Sequence, residues 1–370
     1  MSAEAVPAAA SGSQLHRGLN LWDVTLLVLG LVLGGGIFLT PPSIAQAIPS
    51  AKWILAAWVV GGVLSIFGGF VYSELGAMKP EAGGMYIYIR DAFGPFPAFL
   101  YAWVAYFVIL AGADAAVAVG FAEYFSVFFP ALGTKHVLFT AAGFPVSAGQ
   151  LVAVAAVLVL SATHYVGIRE GSRVQGVFTL LIVIALLWLV VGGAIARVPA
   201  ATTAAATPPV SGPISAAAFG CLSAGIVPGP RIVWALAQDR LFPRAFARVH
   251  PRFRTPSFAI AVQAVWMSLL CLSGRYDQLY TYATFAVILA YLATGLALFV
   301  FRRTLPRAPR PYRCWGYPIV PGIFVASSLL LALNTVRQQP RETLSGLAIL
   351  AAGVPVYLWM RAGANRRRTS

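Results

Sequence analysis

The segment Leu21–Pro41, LWDVTLLVLGLVLGGGIFLTP, is apolar and long enough to cross a bilayer, which takes about 20 helical residues. Three consecutive glycines, Gly34–Gly36, stand deep inside it. Each glycine costs a helix about 1 kcal/mol relative to alanine, so the run favours local unwinding. Unwound backbone in hydrocarbon must be buried in protein or line a wet cavity, because its N–H and C=O groups find no water there. Two readings stay open from these residues alone. One is a binding site near the membrane midplane; the other is a close crossing of two helices, since small residues let backbones approach.

The rest of the chain is of the same kind. Its 370 residues are 59% hydrophobic and 10% charged, with a mean hydropathy of +0.80, against about 25% charged in soluble domains. The expected fold class is an all-α polytopic membrane protein with about ten transmembrane helices. They are expected near 21–41, 53–77, 96–128, 148–166, 173–196, 213–236, 257–273, 278–301, 318–336 and 343–360. Residues 1–19 have no apolar stretch after a basic start and read as a cytosolic tail rather than a signal peptide. Residues 20–361 form the membrane domain and 362–370 a basic tail. Cys221, Cys271 and Cys314 have neither metal-ligand spacing nor an even-numbered disulfide pattern.

The net charge of +15 invites a nucleic-acid reading, but its distribution argues against one. With the N-terminus inside, the cytoplasmic stretches hold 20 of the 26 Lys and Arg residues and the outer stretches hold 6. That is the positive-inside asymmetry, which orients the chain and meets anionic lipid heads. The expected partner is therefore the lipid bilayer and not nucleic acid. The expected location is the cell's inner (plasma) membrane, multi-pass, with both termini cytoplasmic.

Three inner connections differ in character. Glu74–Gly94, with Gly83-Gly84 and the Tyr86/Tyr88 pair, reads as a short interfacial helix, since tyrosines sit well at headgroup level. Arg240–Pro256, RLFPRAFARVHPRFRTP, reads as a basic amphipathic segment with its Phe and Val side chains on the inner interface. Arg302–Tyr317 is broken by prolines and reads as an extended connector. Among buried acids, Asp114 stands in the longest apolar segment, where a carboxylate costs about 2.5–3.5 kcal/mol on insertion scales. It is a candidate for proton coupling or for contact with a substrate amine, weighed against a hydrogen-bonded interior acid. Glu123 reads as interfacial, and His164, beside Arg169 and Glu170, as a solvated or capping residue. The chain contains no HExxH, GxSxG or P-loop sequence; neither enzymatic activity, a metal nor a cofactor is expected. Any transport would be secondary or would need a separate ATPase.

At this point the residues resemble a family. LGGGIFLTP (Leu33–Pro41), YSELGAMKPEAGGMYIYIRDAFG (Tyr72–Gly94) and SRVQGVFTLL (Ser172–Leu181) are similar to helix 1, the 2–3 loop and helix 5 of the amino acid–polyamine–organocation transporters. FGCLSAGIVPGPRIVWALAQDRLFP (Phe219–Pro243) with HPRFRTP, then RPYRCWGYPIVP (Arg310–Pro321) and GVPVYLW (Gly353–Trp359), resemble helix 8 and its loop, the start of helix 11, and helix 12. Within that superfamily the chain is most similar to the L-type amino acid transporters and their bacterial relatives. The resemblance implies a permease or exchanger for a neutral or small amino acid, built as five-plus-five inverted repeats with two further helices. It also implies a substrate carboxylate held by backbone N–H groups of Gly34, Gly35, Gly36 and Ile37, where half-helix ends present positive partial charge.

Two departures stand against it. The family runs to twelve helices, and here helices 6 and 7 have no counterpart, a gap on the order of 80 residues. Helix 6 is the family's second broken helix, facing helix 1 across the site, so its loss removes a partner for the substrate and breaks the inverted symmetry. A rival alignment makes Ala216–Arg231 helix 6, broken at Gly229-Pro230, but QDRLFPRAFARVHPRFRTP belongs with helix 8 by resemblance. The loss implies an alternative, a truncated, non-transporting family member that binds or scaffolds. Secondly, Ile182 stands where the family's fifth helix usually has a lysine, the residue thought to replace a sodium ion of coupled relatives. Oligomeric state is left open.

Overall fold

A computed structural model describes residues 19–33, 44, 48, 50–134, 136–141, 144–196, 211–273, 276–338 and 340–366. Helices α1 (Leu21–Val32) and α2 (Ala51–Met78) lead to a short α3 (Met85–Phe93). A third span combines α4 (Pro95–Val104), a π-helical stretch (Ala105–Leu110) and α5 (Ala111–Phe125). An antiparallel hairpin, β1 (Val137–Ala141) with β2 (Phe144–Ser147), precedes α6 (Ala148–Val166) and α7 (Ile168–Ala196). Then come α8 (Ser211–Gly225), α9 (Pro228–Gln238), α10 (Ser257–Ser273), α11 (Tyr276–Thr304), α12 (Ile319–Gln338) and α13 (Pro340–Arg366). Eight helical stretches are long and apolar enough to cross a membrane, and two shorter apolar helices, α1 and α10, accompany them. Each of the ten segments marked by the sequence falls on helix, the first over its described part. The chain is a polytopic α-helical membrane protein.

Local chemistry sets the helix starts. Asn20 and Asp23 cap α1 reciprocally: the Asp23 N–H donates to Asn20 Oδ1 at 2.9 Å and the Asn20 N–H to Asp23 Oδ2 at 3.0 Å. Ser147 and Gln150 repeat the device at α6, at 3.2 and 2.8 Å. The Gln150 amide then donates to the Cys271 carbonyl at 3.1 Å, tying the start of α6 to the end of α10. The third span, Pro95–Phe125, has 31 residues, about 46 Å of helix against a hydrocarbon core of about 30 Å. It must tilt or protrude, as its length in the sequence predicts. The π-helical stretch inside it leaves the Phe107 carbonyl open to the Trp266 indole N–H at 2.8 Å, and Tyr106 donates to the Ala259 carbonyl at 2.7 Å. π-Turns of this kind concentrate at functional sites.

The inner connections are more embedded than their sequences indicate. Gly83 (φ +126°) and Gly84 (φ +52°) make the sharp turn into α3, but Tyr86 and Tyr88 are buried in the protein core rather than lying at the headgroups. Phe242 and Phe246 likewise turn inward, stacking on each other at 4.8 Å and against Tyr106 and Phe107. An apolar side chain gains as much from a protein partner as from lipid, and here the bundle offers aromatic partners. The connector between α11 and α12 carries the largest surprise. Glu74 of α2 is fully buried there. It accepts from Arg302 Nε and Nη2 at 2.8 and 2.6 Å and from the Cys314 N–H at 2.6 Å, with Arg310 Nε at 3.2 Å. Arg310 also donates to the Leu305 and Phe301 carbonyls, closing the end of α11.

Candidate functional site

Gly34, Gly35, Gly36 and Ile37 lie outside the described residues. What the structure does place is the last turn of α1 that leads into them. The Leu26 carbonyl accepts from Gln175 Nε2 at 3.2 Å and Thr179 Oγ1 at 3.1 Å, both from α7. Gly30 is pressed onto the same pair: a Cβ there would overlap the Gln175 amide and lie 2.5 Å from Thr179 Oγ1. The Cys221 thiol of α8 donates to the Leu31 carbonyl at 3.7 Å. Polar groups of two helices therefore seat the approach to the glycine run. Gly30→Leu is expected to overpack this seat, costing about 1–3 kcal/mol of stability and reducing uptake; thermal unfolding and flux on the same preparation check it.

Ile182 is fully buried one turn beyond Thr179. Its side chain and Phe178 close on Gly220 of α8, where a Cβ would come within 3.0 Å of Phe178 and 3.5 Å of Ile182. The position where the resemblance implies a lysine is thus an apolar contact between α7 and α8.

The span Ala216–Gln238 is broken in its middle. α8 ends at Gly225 and α9 opens at Pro228, because proline lacks the N–H that would continue α8 yet is well suited to a first helical turn. The sequence placed a possible break at Gly229-Pro230; those residues lie inside the first turn of α9. Asp114 of α5 meets this break. It is 5% exposed, and a Cβ on Gly225 would overlap its carboxylate. Oδ2 finds no partner among the described residues. Cys221 and Gly225 are four residues apart on α8, so they share a face one turn, about 5–6 Å, apart. One touches α1 beside the glycines and the other touches Asp114. α8 packs against α1, α5 and α7, bringing the carboxylate to within about a helical turn of the end of α1.

His164 is neither solvated nor a cap. It is 4% exposed and shares a hydrogen bond of 3.1 Å with Ser223 of α8. Gly171 of α7 makes room for its ring; a Cβ there would overlap the imidazole. Glu123 is exposed, as read from the sequence. Sequence reasoning passed over Gln175 and Thr179. A polar pair at i and i+4 on an otherwise apolar helix was the available signal.

At the membrane edge a charge network ties α3 to the end of α9. Tyr86 donates to Asp239 Oδ2 at 2.6 Å, Arg90 Nη1 reaches the same oxygen at 2.7 Å, and Arg90 Nε reaches Asp91 at 2.8 Å. Lys79 pairs with Asp91 at 2.8 Å. Burial and then the Asp239 hydrogen bond push the Tyr86 hydroxyl up, which keeps it a donor. Burial pushes the Asp91 carboxyl up, but the hydrogen bonds from Lys79 and Arg90 outweigh it and hold the group below its ordinary value. A carboxyl held low stabilises the fold above its unfolded pKa, and that stability is lost as pH falls through the folded value. Hydrogen exchange in α3 is therefore expected to stay slow at pH 5 and to quicken only below about pH 4.

The sequence profile described as amino acid permease matches residues 19–221 and again 210–359, two stretches that share 210–221. The chain belongs to the amino acid permease family. Among this permease's relatives, the serine/threonine exchanger SteT of Bacillus subtilis is 24% identical over 94% of this chain and 97% of its own. The human cystine/glutamate transporter is 25% identical over 93% and 85%. The branched-chain amino acid permease BcaP of Bacillus subtilis is 24% identical over 88% and 90%. The SteT alignment runs to 442 positions against a chain of 370 residues, so at least 72 are filled by the relative alone. The permease is shorter than its full-length relatives by the order of two spans and their linkers.

Proposed function

We propose that this permease moves a neutral or small amino acid across the plasma membrane, both termini in the cytoplasm, with the substrate carboxylate held at Gly34, Gly35, Gly36 and Ile37. Asp114 supplies the opposite pole, taking up a proton or the substrate's ammonium group. The carrying observation is the pair of contacts one turn apart on α8, Cys221 with Leu31 and Gly225 with Asp114. A zwitterion needs an anion-binding and a cation-binding group a few ångströms apart, and that pair supports such spacing. The broken α8–α9 span supports it too, since helix ends inside a membrane protein aim partial charge at substrates. SteT and BcaP, whose names give serine, threonine and branched-chain amino acids, support the substrate class.

The test is stabilisation of the purified chain by single amino acids. A substrate binding at 100 times its Kd raises stability by about 2.7 kcal/mol. Gly35→Trp, which fills the cradle, is expected to remove the response while the unliganded protein stays monodisperse. A response unchanged by the tryptophan would rule out the cradle. The missing positions favour one second reading, a non-transporting member that binds without flux. It predicts the same stabilisation with no uptake.

A further inference from the structure

The far side of the helix break holds an unneutralised cation. Arg231 lies in the first turns of α9, and among the described residues no ion pair or hydrogen bond reaches its guanidinium. A charge taken out of water inside a membrane protein is normally paired, since leaving it alone costs several kcal/mol. The guanidinium lines a cavity of about 20 Å³ with His164 of α6, Ile226, Val227 and Pro230 at the break, Thr255 and Pro256 before α10, and Ile260. His164 is the other titratable group there, and its Nε2 is engaged with Ser223. The cavity therefore has a free positive charge, the positive end of the α9 dipole, and no carboxylate.

Its size decides the occupant. About 20 Å³ exceeds the roughly 10–15 Å³ that one water-sized guest requires, but it does not admit an amino acid. A water would fill the space and leave the charge; a small anion does both. We propose that Arg231, with His164 and Thr255, forms a binding site for an inorganic anion of chloride's size, separate from the amino acid site. Asp114 meets the break at Gly225, before it, whereas Arg231 comes after it, so the two sites flank the same interruption. Anion occupancy neutralises the half of the span that leads to Asp239, coupling ionic conditions to the position of α9.

The experiment uses the full purified chain in chloride-free gluconate buffer, with unfolding followed through its nine tryptophans. Replacing gluconate by chloride at constant ionic strength is expected to raise the unfolding midpoint saturably, by about 2 °C or more. R231Q is expected to abolish the shift. I260F, which fills the cavity and leaves the charge, should abolish it as well and guards against a folding defect particular to R231Q. Equal midpoints in both salts for the unaltered chain would overturn the proposal, as would a shift that survives both substitutions. A shift produced by amino acids and absent with chloride would also overturn it, making Arg231 a substrate contact. Because the readout is binding, failure of transport leaves it unaffected.

Discussion

Glu74→Ala is expected to lower the stability of the folded chain by about 3–5 kcal/mol, the cost of removing one partner from a buried ion pair. Glu74 is fully buried, while Arg302 and Arg310 keep side-chain exposures of only 21% and 5%. With the carboxylate gone, two guanidinium groups and the Cys314 N–H lose their acceptor together. Arg302 retains its place over the Tyr317 ring, 4.2 Å from the centroid, a contact worth about 0.5–2 kcal/mol and too small to compensate. Glu74→Gln keeps the shape and one acceptor and is expected to lose less. Thermal unfolding of the three proteins in one detergent checks the order. Near-identical midpoints would mean that the connector between α11 and α12 does not depend on this pairing.

Asp114→Leu is expected to separate stability from activity. The carboxylate is buried with an unpartnered oxygen, a state that costs about 1–3 kcal/mol for a polar group and more for a charged one. Leucine of similar volume removes that cost, so the variant should unfold at the same temperature as the parent or higher. Its uptake should fall to background, because the negative pole of the site is gone. Gly225→Val reaches the same end by another route: its side chain would occupy the space of the carboxylate, displacing Asp114 without changing any charge. The two substitutions together should be no worse for uptake than either alone. A fully active Asp114→Leu would remove Asp114 from the mechanism.

Much of this architecture is written in hydropathy alone, because a span must satisfy its backbone internally and so advertises itself as a long apolar run. The ten segments, the Gly83-Gly84 turn and the exposed Glu123 were legible for that reason. Side-chain partners across the bundle were not. Nothing in the sequence near Glu74 names Arg302 or Arg310, more than two hundred residues away. His164 looked solvated because Arg169 and Glu170 follow it, yet Ser223 and the space left by Gly171 accommodate it inside. Tyr86, Phe242 and Phe246 were assigned to the interface because amphipathic pattern fixes which face is apolar and not whether lipid or protein covers it. The break at Gly225–Pro228 was partly visible. Glycines and prolines crowd the segment, and only the paths of α8 and α9 select which pair interrupts the helix.

Radiolabelled amino acid uptake into proteoliposomes, with a mixed pool and with Gly35→Trp and Asp114→Leu beside the parent, tests the account most directly. The account predicts saturable flux from the parent and none from either variant, although all three are monodisperse. Absence of flux from well-folded parent protein, with amino acid binding intact, would contradict it and leave a permease that binds its substrate without carrying it.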